Sequence, residues 1–118
     1  MTERFLRVEK WLHDAPDQTN VSFTELVKDF YQQNKLIKTK TEINGRKVDL
    51  SKLTIPLLNI MAKEDEIIPM SASNCLKEYV KSKYYSEKIF PSGHIGIYVS
   101  DKVGNHLPKE ISKWLKTK

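Results

Sequence analysis

Two short stretches of this 118-residue chain carry side chains able to hold and pass a proton. The stretch AKEDEIIP, residues 62–69, contains three consecutive carboxylates, Glu64, Asp65 and Glu66. The stretch FPSGHIGIYVS, residues 90–100, sets His94 directly after Gly93 and two residues before Gly96. A carboxylate that accepts from one imidazole nitrogen fixes the tautomer and stabilises the imidazolium, which leaves the other nitrogen free as a general base. The two glycines are expected to let the backbone bend sharply enough to aim the ring along the sheet edge, where a bulkier residue would clash. The competing readings are plain ones: a loop histidine that only makes a local hydrogen bond, and a solvated acidic turn from which spacing alone does not select one carboxylate.

The remaining reactive residues have ordinary explanations. His13 ends an amphipathic helix and His106 precedes Leu107-Pro108, so both read as capping or surface residues. Cys75 falls on the apolar face of an expected helix and reads as a small buried thiol rather than a nucleophile. As the sole cysteine it excludes an internal disulfide and a multi-cysteine zinc site. A nucleophile elbow of the G-x-S-x-G kind would place a serine or cysteine between glycines. The four glycines, at 45, 93, 96 and 104, bracket neither in that pattern.

The elements that must position the acid and the base follow from periodicity. LLNIMA, residues 57–62, is a short apolar run expected to form a strand buried on both faces of a parallel sheet. A helix is expected from about Ser71, with Ala72, Cys75, Leu76, Tyr79 and Val80 on one face, and a second strand over 84–90. Strand, helix, strand implies a right-handed crossover and a parallel pair. Asp65 then lies three residues beyond one strand and His94 four beyond the other, on the same edge of the sheet, where α/β proteins gather their functional groups.

Upstream, residues 3–13 place Phe5, Val8 and Leu12 on one helical stripe, with Leu6 and Trp11 beside it. Ser22 and Glu25 suggest a capping box that opens a second helix through Phe23, Leu26, Val27, Phe30 and Tyr31. TEINGRKVDL, residues 41–50, reads as a hairpin about Asn44-Gly45. Pro108 suits the first turn of a last helix whose Ile111, Trp114 and Leu115 face inward. The fold class is α/β, and the length allows one domain burying roughly two-thirds of its unfolded surface if the elements close on each other.

The net charge of +5 comes from scattered lysines, all but three of the 20 basic residues, without the interleaved aromatics that track a phosphate backbone. Nucleic acid is therefore not an expected partner, although a basic pocket for an anionic cofactor is compatible with the charge. No apolar run approaches the roughly 18 residues of a membrane span, and the charged opening is unlike a signal peptide, so the cytoplasm is the expected location.

Six stretches, in order, carry a family resemblance: EKWLHDAPDQ, LVKDFYQQNKLI, INGRKVDL, IPLLNIMAKEDEIIP, FPSGHIGIYVS and ISKWL. A-x-x-D-x-I-I-P alone is shared by many α/β-hydrolases, whereas DFYQQNKLI together with GHIGIYVS is more particular. The chain resembles the carboxyl-terminal third of the catalytic subunit of class III polyhydroxyalkanoate synthases, with class IV a near relative. The resemblance implies the carboxyl-terminal portion of an α/β-hydrolase fold, with residues 1–40 as the end of a helical cap and 41–118 as core.

It also implies an acyltransfer in which 3-hydroxyacyl-coenzyme A monomers are joined into polyester with release of coenzyme A. The coenzyme A thioester is the substrate, and no further cofactor is implied. In that family an elbow cysteine is acylated, a histidine activates it and an aspartate assists the attacking hydroxyl. His94 and Asp65 occupy the matching positions, and this comparison is what selects Asp65 from its acidic neighbours. Ser92 stands where a glycine is common. The elbow cysteine has no counterpart here, so the chain alone is expected to be inactive. Its expected partners are the amino-terminal part of the synthase, an accessory synthase subunit and a second copy of itself, with polyester granules as a site of action. The competing readings are a non-catalytic module that associates with a full synthase or granule, and a fragment of an unrelated esterase.

Overall fold

A computed structural model describes residues 2–117, with the side chains of Thr2, Arg4 and Val8 left aside. Helix α1 spans Thr2–His13 and α2 spans Asn20–Glu25, continuing directly into a π-helical segment at Leu26–Gln32. Thr19, not Ser22, caps α2: its hydroxyl accepts from the Ser22 amide at 3.2 Å. Ser22 instead occupies the third helical position, where a capping box would place an acid.

The hairpin forms where expected, β1 (Glu42–Ile43) pairing antiparallel with β2 (Arg46–Lys47). Asn44 and Gly45 take φ values of 50° and 73°, the left-handed pair that a two-residue turn of matching twist requires. A single 3-10 turn, Leu50–Lys52, follows, with Asp49 accepting from the Ser51 amide and hydroxyl.

Strands β3 (Leu57–Ala62) and β4 (Tyr85–Phe90) form a parallel pair in the register Leu57↔Tyr85 through Ala62↔Phe90. The segment between them holds α3 (Met70–Asn74) and α4 (Leu76–Tyr79), one expected helix broken at Cys75. Asn59 fastens this crossover to the sheet by donating to the Ser73 carbonyl and the Tyr85 hydroxyl, both at 2.9 Å. A short helix, α5 (Gly96–Val99), and then α6 (Leu107–Leu115), with Pro108 in its first turn, complete the chain.

The core sits at the carboxyl end of this small sheet. Ala62 and Phe90, the last residues of their strands, pack with Ile97, Val103 and Leu107, and Ile60 and Ile111 lean on them. Burial is shallower than the apolar pattern suggests. Leu57–Ile60 are half-buried rather than enclosed on both faces, because the described sheet has two strands and β3 has no neighbour on its other side. Cys75 is half-buried rather than in the core, Ala72 is exposed, and Leu115 is exposed while Ile111 and Trp114 turn inward.

The accessible surface is 9691 Å², against about 6,600 Å² for a compact monomer of this mass. The radius of gyration is 17.0 Å, where about 13.5 Å is usual for this length. The elements therefore do not close on each other as fully as the length permits. The excess, roughly 3,000 Å², is of the size that permanent interfaces bury.

Candidate active site

The parallel ladder does not stop where the strands end. The Lys63 amide donates to the Phe90 carbonyl at 2.8 Å and the Glu64 amide to the Ser92 carbonyl at 3.0 Å. These two bonds tie the loop after β3 to the loop after β4; Asp65 is the next residue on the first loop, and His94 lies two residues beyond Ser92 on the second. Asp65 Oδ2 lies 2.8 Å from His94 Nδ1. The acid and base read from the sequence are thus brought together at one sheet edge, while Glu64 and Glu66 remain exposed.

Asp65 is held on its other side as well. Its Oδ1 accepts from the amides of Ile68 at 2.8 Å and Ile67 at 3.0 Å, so the backbone of DEII folds round its own first residue. The Ile68 amide above all, with help from His94 and the Ile67 amide, holds the Asp65 carboxyl below the usual carboxylate range, against partial burial that works the other way. An ionised carboxylate can only accept, so His94 Nδ1 carries the proton in this contact, and in the neutral ring Nε2 presents its lone pair. The Asp65 side chain is 10% exposed and that of His94 39%, which leaves the imidazole, not the carboxylate, open to a reactant.

The glycines meet the expectation in part, by close approach rather than by an unusual bend. Neither Gly93 nor Gly96 has a positive φ, so neither is needed for a left-handed bend. Gly96 is instead a close approach, since a Cβ there would sit 3.2 Å from the Cβ and Oγ of buried Ser92. Ser92 fits this turn, and its hydroxyl donates to the Gly93 carbonyl.

Other candidates lie elsewhere. Cys75 Sγ donates to the Ala72 carbonyl. The thiol lies in the crossover between the strands, at the break between α3 and α4. His13 bonds the Glu9 carbonyl on α1, and His106 precedes α6 without a side-chain cap. Among the described residues no group of three or more potential ligands could hold a metal ion.

One feature beside the pair was not read from the sequence. Between α1 and the His94 loop lies a cavity of about 910 Å³ whose lining includes Arg7 and Trp11 on one side and His94, Ile95, Tyr98 and Val99 on the other.

Comparison with known proteins shows where the chain's whole-length similarity lies. The poly(3-hydroxyalkanoate) polymerase subunit PhaC of Allochromatium vinosum is 45% identical over 113 residues, covering 96% of this chain and 32% of that protein. PhaC of Synechocystis sp. is 47% identical over 112 residues, covering 94% and 30% respectively. The chain belongs to the PhaC family. It spans about a third of the length of these curated relatives. PhaC of Haloarcula marismortui is more distant, 35% identical over 112 residues, yet it too matches 95% of this chain. No family model and no solved structure matches the chain.

Proposed function

We propose that this chain is the carboxyl-terminal part of a polyhydroxyalkanoate synthase built on an α/β-hydrolase fold, with residues 1–40 ending a helical cap and 41–118 completing the core. In this reading it supplies the base, His94, and its orienting acid, Asp65, to an enzyme that joins 3-hydroxyacyl-coenzyme A into polyester and releases coenzyme A. The observation that carries the reading is the Asp65–His94 contact at the carboxyl ends of two parallel strands, within a chain that matches PhaC proteins almost end to end.

The nucleophile is a cysteine thiol from the rest of the synthase polypeptide. His94 Nε2 takes the thiol proton as sulfur bonds to the thioester carbonyl carbon. The imidazolium, neutralised by Asp65, then gives that proton to the coenzyme A sulfur as its bond to the acyl carbon breaks. The 3-hydroxyl of a hydroxyacyl unit later attacks the next acyl group, and it also needs a base. The family resemblance assigns that task to the aspartate. Here both Asp65 oxygens are engaged and its pKa is lowered, so Asp65 acts through His94 rather than on the hydroxyl directly.

The surplus of exposed surface supports a chain completed by a larger partner, and the free edge of β3 is the natural place for a further strand. The same surplus favours the second reading, a non-catalytic module that binds a full synthase or a polyester granule. One experiment separates the two. The chain is mixed with the amino-terminal part of a PhaC synthase, and coenzyme A release from 3-hydroxybutyryl-coenzyme A is followed. Turnover that requires both polypeptides and is lost in His94→Ala supports the synthase reading, whereas association without turnover supports the module.

A further inference from the structure

The cavity beside His94 has a divided wall. On α5, Ile97 is 7% exposed and belongs to the core, while its neighbours Tyr98 and Val99 are 74% and 47% exposed and line the cavity. Tyr98 follows His94 by four residues, and both side chains line the cavity. A large aromatic left this open contributes little to the core, yet its backbone is firmly placed. Gly104 packs so closely that a Cβ there would come within 3.0 Å of the Tyr98 and Ser100 carbonyl oxygens, and its amide donates to Ser100 at 2.6 Å. The wall thus packs its backbone against Gly104 and presents its side chains to the cavity.

The opposite wall is α1, with the Trp11 ring and the Arg7–Glu3 ion pair at 2.7 Å. The lining is mainly apolar with a charged margin, and the volume of about 910 Å³ falls in the range of small-molecule sites. A hydroxyacyl group has a matching division, since its alkyl side chain is apolar and its ester or thioester end is polar and must reach the imidazole.

We propose that this cavity receives the alkyl side chain of the 3-hydroxyacyl group, and that Tyr98 and Val99 set the length of side chain accepted beside His94. The inference rests on the synthase reading for its ligand class. Its binding arm needs no turnover.

The test titrates the chain with ethyl 3-hydroxybutyrate and ethyl 3-hydroxyoctanoate while amide and indole resonances are followed by NMR. The octanoate ester should saturably move the resonances of Ile95, Tyr98, Val99 and Trp11. In Val99→Phe, which narrows the cavity, the octanoate ester should bind about fivefold or more weakly and the butyrate ester less than about twofold, the scale on which apolar pockets discriminate by chain length. Tyr98→Ala, which widens it, should favour the longer ester. Absence of saturable shifts at these residues, shifts confined to another surface, or equal losses for both esters in Val99→Phe would overturn the proposal. A second arm repeats the two-polypeptide assay with butyryl and octanoyl thioesters. Turnover with an unchanged chain-length preference in Val99→Phe sinks the inference and spares the synthase reading. Selective binding without any turnover sinks the synthase reading and spares the inference.

Discussion

Asp65 spends one carboxylate oxygen on His94 Nδ1 and the other on the amides of Ile67 and Ile68. The side chain that orients the imidazole is therefore itself oriented by its own loop, and the ring direction is fixed at both ends of the contact. Removing either half should affect the other in a way that solution measurements can read.

The first expected outcome concerns the tautomer. In the wild-type chain the neutral His94 ring should carry its proton on Nδ1, giving distinct nitrogen shifts for Nδ1 and Nε2 in long-range nitrogen–proton NMR spectra. In Asp65→Ala the two shifts should move towards the averaged values of a free histidine. An unchanged His94 pattern in that variant would show that the carboxylate does not set the ring.

The second concerns acid. The folded pKa of Asp65 lies below its ordinary value of 3.8, so its contribution to stability is present above that value and is lost as pH falls through the folded pKa. Glu110, bonded to Lys88 across β4 and α6, shifts in the same direction. Urea unfolding between about pH 5 and pH 2.5 should show a falling midpoint, and the fall should be smaller in Asp65→Asn, which has no proton to take up. Parallel curves for the two proteins would contradict the Asp65 assignment.

The third concerns the base. In the assembled two-polypeptide enzyme His94→Ala should lower the rate of coenzyme A release by about 10² to 10⁴, the usual worth of a positioned general base. Asp65→Asn should lower it less than His94→Ala if Asp65 works through the imidazole. A larger loss in Asp65→Asn would return the direct role to the carboxylate.

These sites follow from patterns that sequence carries well. The apolar LLNIMA, bounded by Pro56 and the charged KEDE, marks β3 at both ends, and β4 ends where Pro91-Ser92-Gly93 forbids a longer run. Asn44-Gly45 specifies its turn by conformation alone. What escaped the sequence was decided by packing between distant segments. Thr19 and Ser22 both carry a hydroxyl that can cap a helix, so the choice between them depends on where the helix backbone begins. The exposure of Leu115 and Ala72 reflects how few strands lie beneath them. The cavity joins α1 to α5, and no periodic signal links residues so far apart; only the four-residue step from His94 to Tyr98 could have pointed to it.

A fourth expectation isolates conformation from contacts. A Cβ at Gly45 would meet nothing within 4 Å, yet its φ is 73°. Gly45→Ala should therefore destabilise the hairpin by about 1 kcal/mol through backbone strain alone. Loss of the Val48–Thr41 amide protection in hydrogen exchange would report it, since that bond closes the hairpin at 2.9 Å. Full protection in the variant would mean that the turn has another conformation open to it.

The fifth concerns assembly. Phe5, Leu6, Trp11 and Leu12 on α1, with Val21, Phe23 and Tyr31 after it, are all more than half exposed. Apolar surface of this extent associates in water. Light scattering over a concentration series should give a mass above that of the 13.8 kDa chain. A monomeric mass at high micromolar concentration would require these residues to find cover within one molecule.

The 29-residue separation of Asp65 and His94 has a kinetic consequence. Neighbouring parallel strands joined by a single crossover are among the shortest loops a parallel sheet allows, and closing a loop of that size costs only a logarithmic entropy term. Strands β3 and β4, α3 and the Asn59 clasp can therefore assemble as one cooperative unit before α1 docks, and the acid meets its base in the same event that aligns the strands. Pulse-labelled refolding would then find the Lys63 and Glu64 amides protected together with those of β4, ahead of any protection in α1.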